Sequence, residues 1–145
     1  MRANRRRDTG PEIALRSALH RRGLRFRTDY RIDVPGVRVR ADIVFRRERI
    51  AVLVDGCYWH SCPEHGRVPA ANRAYWVQKF ARNAQRDQAV NAGLLEAGWL
   101  PIRLWEHVPL TEAVAAVELA LEQRREIARS GLVPQQSAVI YSASA

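Results

Sequence analysis

The sequence predicts an α/β fold, a mixed β-sheet flanked by α-helices, in a single domain. The chain has 145 residues, which is enough for one hydrophobic core and too few for two. Its apolar fraction of 47% with 27% charged residues is that of a folded globular protein and not of a disordered one. Apolar periodicity predicts the element order α-β-β-β-α-β-α, which is typical of such a mixed sheet.

Three segments have helical patterns. In the first, Thr9 is a predicted N-cap, Glu12 would reach back to it as a capping box, and Gly23 is a predicted C-cap. A long helix is predicted over residues 73–97 and an amphipathic one over residues 111–129. These helices are expected to cover the sheet.

Strand patterns occur in four segments, over residues 24–30, 37–45, 50–54 and 99–105. The third is apolar on both faces, which indicates a central strand. A tight turn near Arg47 should join the second and third strands in a hairpin, and it would place Asp42 opposite Val52. Asp42 would then lie close to Val54 and Asp55, at the same end of adjacent strands.

We expect one domain over residues 1–131, beginning with a basic arm (residues 1–8), and a disordered tail over residues 132–145, which are rich in Ser, Ala and Gln. No apolar run is long enough to span a membrane, and none follows the charged N-terminus as in a signal peptide. The sequence therefore predicts a soluble protein of the cytoplasm, associated with the nucleoid.

The excess of positive over negative charge is confined to the first third of the chain. Residues 1–50 carry 15 arginines against six acidic residues, a net charge of +9, whereas residues 51–145 carry nine of each sign. A basic face suited to nucleic acid is one interpretation. Codon bias in a GC-rich genome is the other, because 23 of the 24 basic residues are arginine.

A metal site is predicted from the two cysteines and their neighbours. Cys57, Cys62 and His65 follow the spacing C-x4-C-x2-H, and His107 comes just after the last predicted strand. Two thiolates and two imidazoles suit a closed tetrahedral structural zinc site. The alternatives are that the cysteines are small buried residues beside surface histidines, or that His60 competes with His65 for the metal.

A second group of residues suits phosphodiester hydrolysis, which needs a divalent metal on oxygen ligands and a base for water. Asp42, Asp55 and the backbone carbonyl of Val54 could hold the ion, His60 has a suitable pKa for the base, and Glu12 could orient water. Each has another reading: Asp42 could pair with an arginine, Asp55 could be a turn residue, and Glu12 could be only a helix cap. The prediction of a hydrolytic site rests on the convergence of these residues and not on any one of them.

Aromatic side chains surround His60 in the sequence. Tyr58 and Trp59 precede it on a loop and Trp76 begins the long helix, so all three could wedge between base pairs. Trp76 could equally be a core residue. Three basic residues on one face of that helix could contact DNA phosphates or simply be solvated, namely Lys79, Arg82 and Arg86.

Together these residues resemble the very-short-patch repair (Vsr) DNA mismatch endonucleases. The motifs that carry the resemblance run in consistent order: Arg6-Arg7-Asp8-Thr9, Pro11-Glu12, Arg40-Ala41-Asp42-Ile43-Val44-Phe45, Val54-Asp55-Gly56-Cys57-Tyr58-Trp59-His60, Trp76-Val77-Gln78-Lys79, Asn83, Arg86-Asp87, Gly98-Trp99 and Trp105-Glu106-His107. The resemblance implies a restriction-endonuclease-like fold of the PD-(D/E)XK type. It also implies nicking of one strand on the 5′ side of the T in a T:G mismatch, which deamination of 5-methylcytosine produces.

The resemblance also implies roles for these residues. Asp42 and the carbonyl of Val54 would bind Mg²⁺, His60 would activate water, and Glu12 would lie near the metal-bound waters. The four Cys and His residues would be the structural Zn²⁺ ligands, and the three aromatics would intercalate. Asp55 stands where some members have a histidine, so its role stays open between metal ligand and helper of the base. We expect a monomer that acts on double-stranded DNA ahead of a repair polymerase and ligase.

Two alternatives remain at this point. A related nuclease of the same fold could cut without mismatch preference. A zinc-stabilised DNA-binding module could have no catalysis at all, with Asp42 and His60 in structural roles.

Overall fold

A computed structural model describes residues 8–57, 59–60, 62–131 and 139–141. Its elements are α1 (Gly10–Arg21), β1 (Arg27–Val34), β2 (Val37–Phe45), β3 (Ile50–Asp55), α2 (Arg73–Glu96), β4 (Leu100–Trp105), α3 (Leu110–Ser130) and β5 (Val139–Tyr141). The strands lie in the order β1-β2-β3-β4-β5, with antiparallel pairs from β1 to β3 and parallel pairs from β3 to β5. The predicted mixed sheet is confirmed.

Helices cover both faces of the sheet. α1 and α3 pack together on one face, where Leu19, Phe45 and Leu121 are among the fully buried side chains of the larger core cluster. α2 packs on the other face over a smaller cluster that includes Val90 and Leu94. The central strand β3 contributes to both clusters, as its two-sided apolar sequence predicts.

The predicted C-terminus of α1 is confirmed, whereas its capping box forms with a different partner. Gly23 adopts a left-handed φ of 77°, and Leu24 N donates to Leu19 O over 3.2 Å, which closes the last turn. At the other end, the side chain of Thr9 makes no capping hydrogen bond. Glu12 accepts instead from the backbone N–H of Asp8, at 2.8 Å, so the carboxylate reaches one residue further than predicted.

The β2–β3 hairpin forms with a register one residue from the prediction. Ile43, and not Asp42, lies opposite Val52, and Phe45 lies opposite Ile50. The turn is therefore centred between residues 47 and 48. The N–H of Val54 donates to Asp42 Oδ2 at 2.7 Å, so the carboxylate still reaches the end of β3.

Part of the predicted disordered tail is ordered. Residues 139–141 form β5, which pairs in parallel with β4, while residues 132–138 and 142–145 lie outside the described residues. A short apolar, β-branched run can add to an open sheet edge, which a composition argument about the tail overlooks. In the part of the chain that the structure describes, no helix is long and apolar enough to cross a membrane.

Candidate active site and metal centre

Two acidic side chains meet near the carboxyl end of β3. Asp42 is partly buried on β2 and Asp55 is 6% exposed at the end of β3. The pKa of Asp42 is raised to about 7, chiefly by burial; the hydrogen bond from Val54 opposes this shift, and the negative charges of Glu12 and Asp55 favour it. Glu12 itself, from α1, is 3% exposed and contacts Arg16 Nη2 at 3.4 Å. The structure thus brings together the three acids that the sequence singles out.

An irregularity in β2 accompanies the placement of Asp42. Ala41 and Val44 pack on the α2 side of the sheet, whereas Ile43 packs on the side of α1 and α3. The alternation of a regular strand would put residues 41 and 43 on one face. Across the ladder, Asp29 has a left-handed φ of 47°, a conformation that aspartate tolerates better than most residues. The sheet is therefore distorted beside Asp42.

Asp55 is bound by an arginine that sequence reasoning missed. Arg103 Nη1 lies 2.9 Å from each carboxylate oxygen of Asp55, and both side chains are buried. Burial raises the pKa of Asp55, and the charge of Arg103 opposes that shift. The available signal was a single charged residue inside an otherwise apolar strand, β4.

His60 lies between two carboxylates. Its Nδ1 is 2.6 Å from Asp87 Oδ2 on α2, and its Nε2 is 3.8 Å from Asp55 Oδ1. Burial alone would lower the pKa of His60, but the Asp87 hydrogen bond and the charges of both acids outweigh it and raise that pKa. The sequence motif Arg86-Asp87 contains this acid but indicates no role for it.

The four predicted zinc ligands converge in one cluster. The ligand atoms of Cys57, Cys62, His65 and His107 all lie within 4.8 Å of one another, and His60 is not a member of this group. Cys57 Sγ is 3.0 Å from His107 Nδ1, which in turn is 3.2 Å from His65 Nδ1. Thiolates and imidazoles at this spacing fit a tetrahedral metal ion of intermediate softness.

The surroundings of the cluster also fit a cation. Burial and the neighbouring Cys62 raise the pKa of Cys57 to about 12, so the thiolate that a metal requires needs a positive partner there. His107 Nε2 is buried without a hydrogen bond, and Glu64 Oε2 lies 3.5 Å from it. The backbone N–H of Cys57 donates to Glu106 Oε1 at 3.0 Å, which fastens the loop to the end of β4.

The aromatic side chains form a partly exposed stack beside the site. Trp59 and Trp76 have ring centroids 6.3 Å apart, and Trp76 continues to Phe80 at 5.7 Å. Lys79 Nζ lies 5.0 Å above the ring of Trp59 and 5.3 Å from that of Trp76. Trp76 is thus not a fully buried core residue. Tyr58, the third predicted wedge, lies outside the described residues.

The three predicted DNA-backbone residues have different surroundings. Lys79 belongs to the aromatic stack, whereas Arg82 is exposed on α2. Arg86 is exposed and donates to Asn83 Oδ1 at 3.0 Å, and Asn83 Nδ2 donates to Trp59 O at 2.9 Å. The Asn83–Trp59 hydrogen bond therefore connects this face of α2 to the loop that carries Trp59.

A mixed sheet with carboxylates and a histidine at the end of its central strand defines a restriction-endonuclease-like DNA nuclease. A family model described as DNA mismatch endonuclease Vsr matches residues 1–64. The chain is 52% identical over 118 residues to the type II nicking enzyme V.NaeI of Lentzea aerocolonigenes, covering 81% of this chain and 71% of that one. It is 40% identical over 104 residues to V.XorIIP of Xanthomonas oryzae, covering 70% and 73% of the two chains.

The DNA mismatch endonuclease Vsr of Escherichia coli is 36% identical over 109 residues, which cover 73% of this chain and 66% of that protein. The chain therefore belongs to the Vsr family of DNA endonucleases. This confirms the predicted fold class and the prediction of a DNA-cleaving enzyme, and it removes the alternative of a binding module without catalysis.

Proposed function

We propose that the protein nicks one strand of duplex DNA on the 5′ side of the T in a T:G mismatch, by Mg²⁺-dependent hydrolysis. The observation that carries the proposal is the placement of His60: its Nδ1 contacts Asp87, while its Nε2 lies 3.8 Å from the carboxylate of Asp55 at the end of β3. A base so held beside a candidate cation site suits hydrolysis of a phosphodiester. The E. coli relative, a mismatch endonuclease by name, supports the choice of substrate.

Asp42 and the backbone carbonyl of Val54 are the proposed Mg²⁺ ligands. Oxygen ligands from carboxylate and carbonyl groups are those that Mg²⁺ prefers. The raised pKa of Asp42 fits this role, because a buried carboxylate near Glu12 and Asp55 gains most from a cation. When bound, the ion would neutralise charge on the phosphate that is cleaved.

His60 is the proposed base. With Nδ1–H donated to Asp87, its Nε2 carries the lone pair that can take a proton from the attacking water. The water oxygen would form the new bond to phosphorus as the ester bond to the leaving deoxyribose oxygen breaks. Glu12, which is buried near Asp42, would orient the water, and Asp55 would help to hold His60.

A structural Zn²⁺ is proposed for the Cys57, Cys62, His65 and His107 cluster. It would tie the loop that carries Trp59 and His60 to the end of β4. Glu64, near His107 Nε2, is placed to fix the orientation of that imidazole, as partners of metal-bound histidines do. The metal would therefore hold Trp59, proposed to recognise the mismatch, and His60, proposed as the base, in one rigid segment.

Mismatch recognition is assigned to Tyr58, Trp59 and Trp76. A mismatch lowers the unstacking cost that an inserted side chain must meet, which favours T:G over a paired duplex. Three basic residues of α2 would hold the phosphate backbone: Lys79, Arg82 and Arg86. Acting as a monomer on chromosomal DNA in the cytoplasm, the enzyme would leave a nick for a repair polymerase and ligase.

A second function, nicking of paired DNA without mismatch preference, is favoured by the names of the relatives V.NaeI and V.XorIIP, which are type II nicking enzymes. Labelled duplexes that differ only in T:G or T:A, with and without Mg²⁺, separate the two. We expect Mg²⁺-dependent nicking of the T strand in T:G alone, and none by Asp42→Asn. Equal cutting of both duplexes would replace the first proposal with the second, and nicking by Asp42→Asn at the wild-type rate would move the metal site elsewhere.

A further inference from the structure

Arg103 makes an unusually complete set of contacts for a residue inside a β-strand. It is 6% exposed, and its Nη1 lies 2.9 Å from both carboxylate oxygens of Asp55. Its Nε donates to Asn91 Oδ1 at 2.7 Å, and its Nη2 donates to the backbone oxygen of Asp87 at 3.4 Å. Nη1 also lies 3.6 Å from Asp87 Oδ1. A buried guanidinium is tolerated because every side of it is paired.

The partners of Arg103 belong to different elements that border the site. Asp55 ends β3, while Asp87 and Asn91 are four residues apart on α2 and so share one face of that helix. Arg103 itself lies on β4, the strand next to β3, and its side chain bonds residues of both β3 and α2. Its planar, branched group therefore joins β3, β4 and α2 in a way that a single ammonium could not reproduce.

Both carboxylates held by Arg103 contact His60. Asp87 Oδ2 is 2.6 Å from the imidazole Nδ1, and Asp55 Oδ1 is 3.8 Å from Nε2. His60 is carried by a turn and not by a helix or strand, so these contacts fix its ring. Since both oxygens of Asp55 already accept from Arg103, that carboxylate is occupied by a resident cation.

We propose that Arg103 is a positioning residue of the nicking reaction, which holds Asp55 and Asp87 in the arrangement that orients His60 and keeps Asp55 away from the metal. The inference rests on the proposed role of His60 as the base. Asp55 is then a helper of the base and not a metal ligand. The guanidinium of Arg103 would then occupy the position beside Asp55 that a second metal ion could otherwise take.

Four variants separate positioning from mere charge compensation. Arg103→Met leaves a buried, unpaired Asp55, and Arg103→Lys keeps the charge without the branched contacts. Asp55→Asn alone measures what Asp55 itself contributes, and Asp55→Asn with Arg103→Met removes both charges. Arg124→Met is the matched control, because Arg124 is a partly buried arginine that bonds the backbone of Gly98, outside the described site. Melting temperature, DNA affinity and single-turnover nicking are measured for each.

Under the proposal, the double variant regains the melting temperature lost in Arg103→Met but still nicks about 10- to 100-fold more slowly than Asp55→Asn alone, because Asp87 is no longer held. DNA affinity stays near the wild-type value, and Arg103→Lys recovers only part of the rate. A double variant that nicks as fast as Asp55→Asn alone would overturn the proposal, because Arg103 would then only compensate the charge of Asp55. Full activity of Arg103→Lys would overturn the need for branched contacts.

A second readout needs neither DNA nor Mg²⁺. The imidazole ¹H–¹⁵N signals of His60 should differ between the double variant and Asp55→Asn alone, and they should stay unchanged in Arg124→Met. The same His60 signals in the double variant and in Asp55→Asn alone would overturn the positioning role. A wild-type protein that nicks no duplex would instead defeat the proposed function, while these signals would still test Arg103.

Discussion

His60 and Asp87 are joined by a 2.6 Å contact between Nδ1 and Oδ2, across 27 residues of sequence. The contact attaches the loop after β3 to the middle of α2 and leaves the imidazole Nε2 directed toward Asp55. A carboxylate that accepts from Nδ1–H selects the tautomer with a basic Nε2. The arrangement therefore suits the proposed role of His60 as the base.

Asp87→Asn should lower the plateau nicking rate about 10- to 100-fold, because the amide holds the imidazole less firmly. Asp87 also raises the pKa of His60, and a base works in its deprotonated form. Removing that negative charge should therefore move the acid limb of the pH–rate profile to lower pH while the plateau falls. Glu96→Gln, an exposed acid at the end of α2, is the control. An acid limb that does not move would contradict the role of this contact.

Asp42→Asn should stabilise the protein at alkaline pH when Mg²⁺ is absent. The folded-state pKa of Asp42 is raised from 3.8 to about 7, so ionisation opposes folding as pH rises between these values. The variant avoids this, and its gain over the wild type should grow from about pH 4, level off above pH 7 and not exceed about 4 kcal/mol. The amide oxygen can still accept from the N–H of Val54.

Urea unfolding at pH 5 and pH 8, without Mg²⁺, measures this difference in the free energy of unfolding. Added Mg²⁺ at pH 8 should stabilise the wild type and leave the variant unchanged. The same difference at both pH values would mean that Asp42 is not a buried charge in the folded protein.

Cys62→Ser should lose bound zinc and lower the melting temperature by about 5 °C or more, since a structural metal can contribute on the order of 10 kcal/mol to folding. The purified wild type should contain one zinc per chain, and His20→Ala, outside the cluster, should keep it. Chelation should destabilise the wild type and add little in Cys62→Ser. Wild-type protein that is folded and free of zinc would refute the assignment.

Local patterns in the sequence predict the elements well. The glycines at residues 23 and 98 mark helix ends with left-handed φ values of 77° and 83°, and the helix over 73–96 agrees with the prediction to one residue. The predicted register of the β2–β3 hairpin is wrong by one residue, because residues 43–45 and 50–52 are apolar at every position and so do not distinguish neighbouring registers.

The partners of the predicted site residues are set by tertiary contacts and not by local sequence patterns. Asp55 and Arg103 are separated by 48 residues, and they meet because the parallel crossover through α2 sets β4 beside β3. No periodicity in the sequence encodes that pairing. The four metal-binding candidates were predictable because three of them share a short spacing, and the fourth follows the strand that lies next to their loop.

Trp76→Ala should reduce the preference for T:G over T:A by about tenfold or more, because stacking of a base on an aromatic ring contributes about 1–3 kcal/mol. The ring of Trp76 lies 6.3 Å from that of Trp59 and beneath Lys79 Nζ, so the variant also removes a packing contact of the Trp59 ring. Val77→Ala, which alters the exposed neighbouring residue, is the control. The ratio of nicking rates on the two duplexes is the measurement, and an unchanged ratio would exclude Trp76 from mismatch reading.

The close packing of α2 against the β1–β2 hairpin predicts the effect on stability of a substitution at Gly93. A Cβ at this position would lie 2.7 Å from Val34 Cγ1 and 3.1 Å from Val37 Cγ1. Alanine favours a helix by about 1 kcal/mol over glycine, but overpacking costs about 1–3 kcal/mol, and a β-branched valine cannot easily turn away. Gly93→Ala should therefore destabilise the protein by about 1 kcal/mol, and adding Val34→Ala should relieve the closest contact.

Val34→Ala alone is the matched control, because it removes the methyl group that a Cβ at residue 93 would meet most closely and leaves α2 unchanged. In the Val34→Ala background the preference of a helix for alanine remains while the closest contact is gone, so Gly93→Ala should destabilise the protein less there than in the wild type. Urea unfolding of the two single variants and the double variant measures this coupling. The same effect of Gly93→Ala in both backgrounds would mean that α2 lies further from the hairpin than its contact with Val34 requires.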